Sequence, residues 1–261
     1  MLDTRTGRFR SQHAPVHTID VAYTPDSDDA FNFYAWEHGR IATPELRATF
    51  HQDHISQLNH SAAACLHDVV AVSSVMYPCL ADRYWILATG NSIGRGYGPV
   101  LASSHYSKRE DLRGRRIGVA EITTTGGVLA LLYCPGAELV PMRYDHIADA
   151  VVHGTIDAGV MIHEELLFFP EKGLRKICDL GLTWCEDTQL PLPVGLNLVR
   201  KDIGHDTAHQ IQRACHESLR WAQENFTEAF AHASKFGRGC AADHVAMFSN
   251  ADTLFLPADA R

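Results

Sequence analysis

From residue 19 onward the chain alternates short apolar, β-branched runs with helix-patterned segments, and this alternation restricts it to an α/β fold more strongly than any other feature. Ile19–Tyr23 (IDVAY) forms a first strand, followed by the turn TPDSDD and the helix AFNFYAWEHG, with Asp28 or Asp29 as N-cap and Gly39 just past its end. Residues 48–51 give a second strand, 55–65 a helix, 68–73 (DVVAVS) a third strand, 76–82 a short helix and 84–88 another strand. The glycine-rich turn NSIGRGYGP then leads into a strand at 99–103. Its glycines at 94, 96 and 98 miss the GxGxxG spacing and a proline follows them, which disfavours dinucleotide binding. The pattern restarts after SKREDLRG: strand 116–120, a helix opened by ITTTGGVLALLY, strand 138–143, helix 147–153 and strand 158–162. A short strand at 177–180 and the extended run PLPVGLNLVRKDI precede a long helix capped by Asp206, with Ile211, Ala214, Cys215, Leu219, Ala222 and Phe226 at helical spacing. A break near Thr227 separates it from a further helical segment reaching Phe236.

Two restarts of the βα pattern without a repeat or long linker predict two lobes that share crossing strands at about 98–102 and 194–199. Residues 1–98 plus 198–261 would form one lobe and 99–197 the other, with a small-molecule cleft between them. A chain of 261 residues, 46% hydrophobic, can bury roughly 70 to 75% of its unfolded surface. A formal charge of -8 removes the basic footprint expected of a nucleic-acid partner, and no apolar run reaches membrane-spanning length. No secretory leader pattern opens the chain, and its seven cysteines form no CxxC pair, so reduced thiols in the cytoplasm are expected. The sixteen histidines show no recognised metal spacing; His205 and His209 are four apart, but Asp206 between them suits a helix cap better. Neither a metal nor a cofactor is therefore expected.

The chemistry concentrates in GTIDAGVMIHEE, residues 154–165. Gly154 ends a helix, Asp157 can cap or turn, and Ala158–Ile162 suits a strand buried on both faces of a parallel sheet. Ligands in open parallel sheets bind off the carboxyl ends of strands, where this strand delivers His163, Glu164 and Glu165. A histidine there can act as a base near neutral pH; a strand end whose polar groups only face water or cap the next helix is the alternative. Glu164 and Glu165 suit caps or lobe contacts pointing away from His163. Thr124 and Thr125 open a helix with small neutral residues, leaving amide donors and a positive dipole end for a substrate carboxylate, or else they only cap it. Ser73, ending DVVAVS, can donate into the cleft or simply be small where the next segment packs. Arg95, between two glycines, can fork onto a carboxylate or bridge lobes at the surface, and Val194 would supply ring contact.

The segments TPDSDDAFNFYAWEHGRI, AVSSVMY, TGNSIGRGYGP, TTTGGVLALL, DAVVHGTIDAGVMIHEE and LPLPVGLNLVRKD together resemble the 1,4-dihydroxy-6-naphthoate synthase family of the futalosine route to menaquinone, over about residues 19–256. The resemblance implies a two-lobe fold like type II periplasmic binding proteins, used as a cytosolic lyase. That lyase releases dihydroxynaphthoate from cyclic dehypoxanthinyl futalosine, with the histidine of an IHE segment, His163, as base. It also implies pocket roles for Ser73, Thr124, Thr125 and Val194. Three departures stand out: the family's SPCPNDTF is TPDSDDAF here, making two pocket-side turn residues acidic; Gly126 and Gly127 stand where a bulkier residue is common; and the chain stops soon after LFLPADAR. A solute-binding protein of the same fold, a related lyase or dehydratase on another cyclic carboxylate, and a regulatory sensor are the rival readings.

Overall fold

The computed structural model describes residues 16–236, 245 and 249–260; the segment 1–15 and Cys240 lie outside them. Two mixed sheets carry the α/β architecture. In the first, β1 (His17–Tyr23) runs parallel between β2 (Leu46–Gln52) and β3 (Val69–Ser73). All of β3 is buried, whereas β2 at the edge alternates between covered and exposed residues, as a strand with one solvated face does. β11 (Leu192–Arg200) pairs antiparallel with β3 and takes β4 (Tyr84–Ile86) and β5 (Ser92–Gly94) on its other edge. In the second sheet β7 (Arg116–Val119) lies parallel between β8 (Glu138–Pro141) and β9 (Ala158–Met161), while β6 (Val100–Ser103) joins β9 antiparallel and β10 (Arg175–Asp179) closes the edge on β6.

The central strand β9 is buried along its length as expected, but its neighbours run in opposite senses, so the sheet around it is mixed. The chain enters this sheet through β6 directly from the first one, without the crossover helix that would make the pair parallel. β9 packs differently on its two faces: Ala158 and Val160 face the cluster of α4 (Thr125–Tyr133), and Met161 faces that of α5 (Tyr144–Val152). Gly159 has to be glycine here, because a Cβ would lie 2.3 Å from Ile147 Cγ2. In the first sheet, Val21, Val70 and Leu198 pack with Ile211 and Cys215 of α8 (His205–Glu224). The whole of β11 pairs within that sheet, from Leu192 beside Gly94 to Arg200 beside Tyr84, so the chain returns from the second sheet before Leu192, upstream of the expected 194–199.

Three local expectations are corrected. Asp26, not Asp28 or Asp29, caps α1 (Ser27–Glu37): its side chain accepts from the Asp29 amide, and Asp28 and Asp29 occupy the first turn. Asp206 likewise sits inside the first turn of α8, after Gly204 at the N-cap. A nine-residue helix, α7 (Leu180–Thr188), occupies what looked like a strand end and connecting loop. Its composition, LGLTWCEDT, has weak helix propensity and no apolar stripe, and its start depends on Asp179 accepting from the amides of Gly181 and Leu182. Asn225 divides α8 from α9 (Phe226–Ala233). No helix among the described residues is long and apolar enough to cross a membrane.

Candidate active site

A cleft of about 950 Å³, open solvent included, lies between the two sheets. It is lined by the carboxyl ends of β1 (Thr24, Asp26), β3 (Ser73) and β9 (Ile162, His163), by Val194 to Asn197 of β11, and by Thr124, Thr125 and Gly126 at the start of α4.

His163 is delivered by a backbone in the left-handed region, φ 51°, directly after the buried strand. A non-glycine residue there carries a conformational cost of order 1 kcal/mol or more, a strain that recurs at functional sites. Its Nδ1 lies 2.8 Å from Asp26 Oδ2; the imidazole is 18% exposed and the carboxylate 2%. The ring also stacks at a tilt on Tyr144, 4.9 Å between centroids. Burial alone would lower the histidine's pKa, but hydrogen-bonded Asp26, then Asp28 and Glu164, outweigh it and hold the pKa at about 10. In the ligand-free cleft at neutral pH the imidazole therefore carries a proton.

Three carboxylates converge beside it. Asp26 Oδ1 accepts from the Asp29 amide (2.9 Å), and its Oδ2 contacts the Thr24 hydroxyl as well as His163. Asp29 Oδ2 contacts the same hydroxyl (2.6 Å) and the Thr24 amide (3.0 Å). Burial and then neighbouring Asp28 raise the Asp29 pKa to about 6. Burial, followed by neighbouring Asp26, pushes the Asp28 carboxyl well above the usual range. Asp26, Asp28 and His163 bring their polar atoms within 4.8 Å of one another, a spacing a cation would also accept. His163 Nδ1 is engaged by Asp26.

Of the residues expected from sequence, Ser73, Thr124, Thr125, His163 and Val194 all line the cleft. The two threonine hydroxyls are engaged internally. Thr124 Oγ1 donates to Glu121 O (2.7 Å) and accepts from the Gly127 amide (3.1 Å), and Thr125 Oγ1 donates to Val194 O (2.7 Å). Val194 thus contributes a backbone acceptor as well as apolar surface. Ser73 is held by Asn59, whose side chain accepts from its amide and donates to its hydroxyl. Arg95 is not among the lining residues: its guanidinium is ion-paired at the surface with Asp252 and Asp259. Glu164 and Glu165 are buried, at 4% and 0% exposure, and Glu164 makes no side-chain cap to the short helix it precedes, which removes the cap reading for that residue. Sequence reasoning put the acidic turn residues Asp26 and Asp28 on the pocket side but gave them no role, and it missed the buried amides Asn91 and Asn197 on the cleft wall. Asn197 donates to Gly90 O (2.8 Å), while its Oδ1 has no hydrogen-bond partner, leaving an acceptor at the cleft. The acidic TPDSDD segment was the available signal for the two aspartates.

A family model described as menaquinone biosynthesis matches residues 19–260. The chain belongs to that family. Among its relatives, the Thermus thermophilus protein named "1,4-dihydroxy-6-naphtoate synthase" is 32% identical over 243 residues, covering 92% of this chain and 88% of the relative. Among solved structures, protein AF1704 from Archaeoglobus fulgidus superposes with a TM-score of 0.86 at 38% identity, covering 93% of this chain and 92% of that one. The alkanesulfonate-binding protein SsuA from Xanthomonas axonopodis, solved with MOPS, aligns with a TM-score of 0.66 at 13% identity over 90% of this chain and 84% of its own. That likeness identifies the family's fold as periplasmic-binding-protein-like.

Proposed function

We propose that the protein is a cytoplasmic lyase that releases 1,4-dihydroxy-6-naphthoate from cyclic dehypoxanthinyl futalosine, with His163 as the general base. Family membership and the named Thermus relative support the reaction class. The observation that carries the reading to this chain is the His163–Asp26 contact at the mouth of a buried strand: a binding protein of this fold has no need of a paired, strained imidazole in its cleft. Asp26 makes Nε2 a strong proton acceptor once the resting proton has moved, as substrate binding must arrange. The two sheets would be the cores of two lobes, the chain passing between them near residues 95–99 and again before 192.

For the substrate carboxylate the start of α4 remains the best anion site in the cleft, through the first-turn amides of Thr125 and Gly126 and the helix dipole, since the threonine hydroxyls hold the turn together. The N-terminus of α1 carries Asp26, Asp28 and Asp29 and would repel the same group. The deciding experiment incubates purified protein with cyclic dehypoxanthinyl futalosine and follows formation of the naphthoate by chromatography. Turnover supports the reading, and an inert protein that still binds the compound would move it to a binding role.

A further inference from the structure

We propose that Asp28 is the acid that complements His163 in this cleft and that Asp26 is the positioning residue that holds the imidazole; the assignment rests on the lyase reading above. The geometry divides the two carboxylates by role. Asp26 is buried with both oxygens engaged, one by the Asp29 amide and the other by His163 Nδ1 and the Thr24 hydroxyl, so it can orient the ring but not meet a substrate. Holding Nδ1 leaves Nε2 as the nitrogen available to a ligand. Asp28 is only half-buried, lines the cleft itself, and has a carboxylate oxygen within 4.8 Å of both a His163 nitrogen and an Asp26 oxygen.

Burial and neighbouring Asp26 hold Asp28 in its acid form, and the proposed cycle begins when the imidazole gives up its own proton to solvent as substrate enters. Neutral Nε2 then takes the proton from the carbon of the ring that becomes aromatic. The C–H electron pair forms the new ring double bond, the bond to the departing fragment breaks with its pair on the fragment, and Asp28 delivers its proton there. Substrate loses one proton and the fragment gains one, no oxidant or reductant is consumed, and the proton now on the imidazole passes to the ionised Asp28, which restores neutral Nε2 and the acid carboxyl for the next turnover. The groups facing His163 that bear on this are Asp26, Asp28 and Asp29 from the start of α1, Glu164 next along the chain, His54 from the start of α2 (Ile55–Ala63), and the Tyr144 ring of α5.

Two measurements test the assignment, one independent of turnover. In the ligand-free protein, NMR titration of the His163 imidazole should show its midpoint falling by about 1 to 3 pH units in Asp26→Asn, the range for loss of an adjacent opposite charge. An unchanged midpoint would overturn the positioning role. With cyclic dehypoxanthinyl futalosine, Asp28→Asn should lower kcat by about 10²- to 10⁴-fold, erase the alkaline limb of the pH–rate profile, and leave KM within a few-fold. Asp28→Glu should recover part of kcat, and Asp28→Ser guards against an amide-specific folding defect. Wild-type kcat with the alkaline limb intact in folded Asp28→Asn and Asp28→Ser would overturn the acid role. Wild-type protein without turnover, but with the Asp26-dependent imidazole titration, would instead mean that the lyase reading fails and that Asp28 has no acid role in it.

Discussion

His163 is held in place by groups that a base would need and a structural histidine would not: a left-handed backbone, an aspartate on Nδ1 and a cleft on the remaining side. Replacement by Asn should therefore lower turnover by about 10² to 10⁴. It should also lower thermal stability, because the buried Asp26 loses its cation, a loss of order a few kcal/mol when one partner of a buried pair is removed. The pH dependence has a definite sign. The folded-state pKa is raised to about 10, so the stabilisation is full below the unfolded value near 6.5 and disappears as pH rises through about 10. Melting curves should accordingly show the gap between wild type and His163→Asn narrowing from pH 6.5 to pH 10, and a gap independent of pH would contradict the ion pair. At this scale the histidine was legible in the sequence because a buried strand ends on it. Asp26 was not, since a capping aspartate and an aspartate that orients a histidine look alike until the fold joins two distant segments. Of the two roles open to Arg95, the surface pairing is the one found, and its acidic partners, Asp252 and Asp259, lie near the other end of the chain. Arg95→Ala should leave KM unchanged, and a several-fold rise would return that residue to the site.

The start of α4 is the element on which ligand placement depends. Thr124→Val removes the N-cap and should lower stability by about 1 kcal/mol, seen as a lower denaturant midpoint with an unchanged slope. Gly127→Ala should be more damaging, because a Cβ would stand 2.2 Å from Glu121 O and 3.0 Å from Ile122 Cα, all backbone that must shift. Tolerance of alanine at residue 127 without loss of stability would show that the turn differs from the one described. The regular elements of this region were legible from apolar runs and turn residues. α7 was not, because its helix depends on one aspartate cap and on packing, not on periodicity.

Across the whole molecule, alternating strands and helices were enough to anticipate an α/β chain with two sheets and a cleft, but not the direction of the connecting strands. β6 and β11 join their sheets antiparallel because the chain arrives from the other sheet, a constraint that no local pattern encodes. If those passages are hinges, ligand binding should slow amide exchange in residues 95–99 and 189–195 together with the start of α4, and uniform exchange with and without ligand would contradict a closing cleft. Whether this cleft performs a proton-transfer elimination or merely holds a ligand is decided by the rate of naphthoate formation from cyclic dehypoxanthinyl futalosine by wild type and His163→Asn under single-turnover conditions. Product is expected from the wild type, with a rate at least about 10²-fold lower from the variant at equal ligand occupancy. Equal rates from the two proteins, or no product from either despite full occupancy, would contradict the elimination.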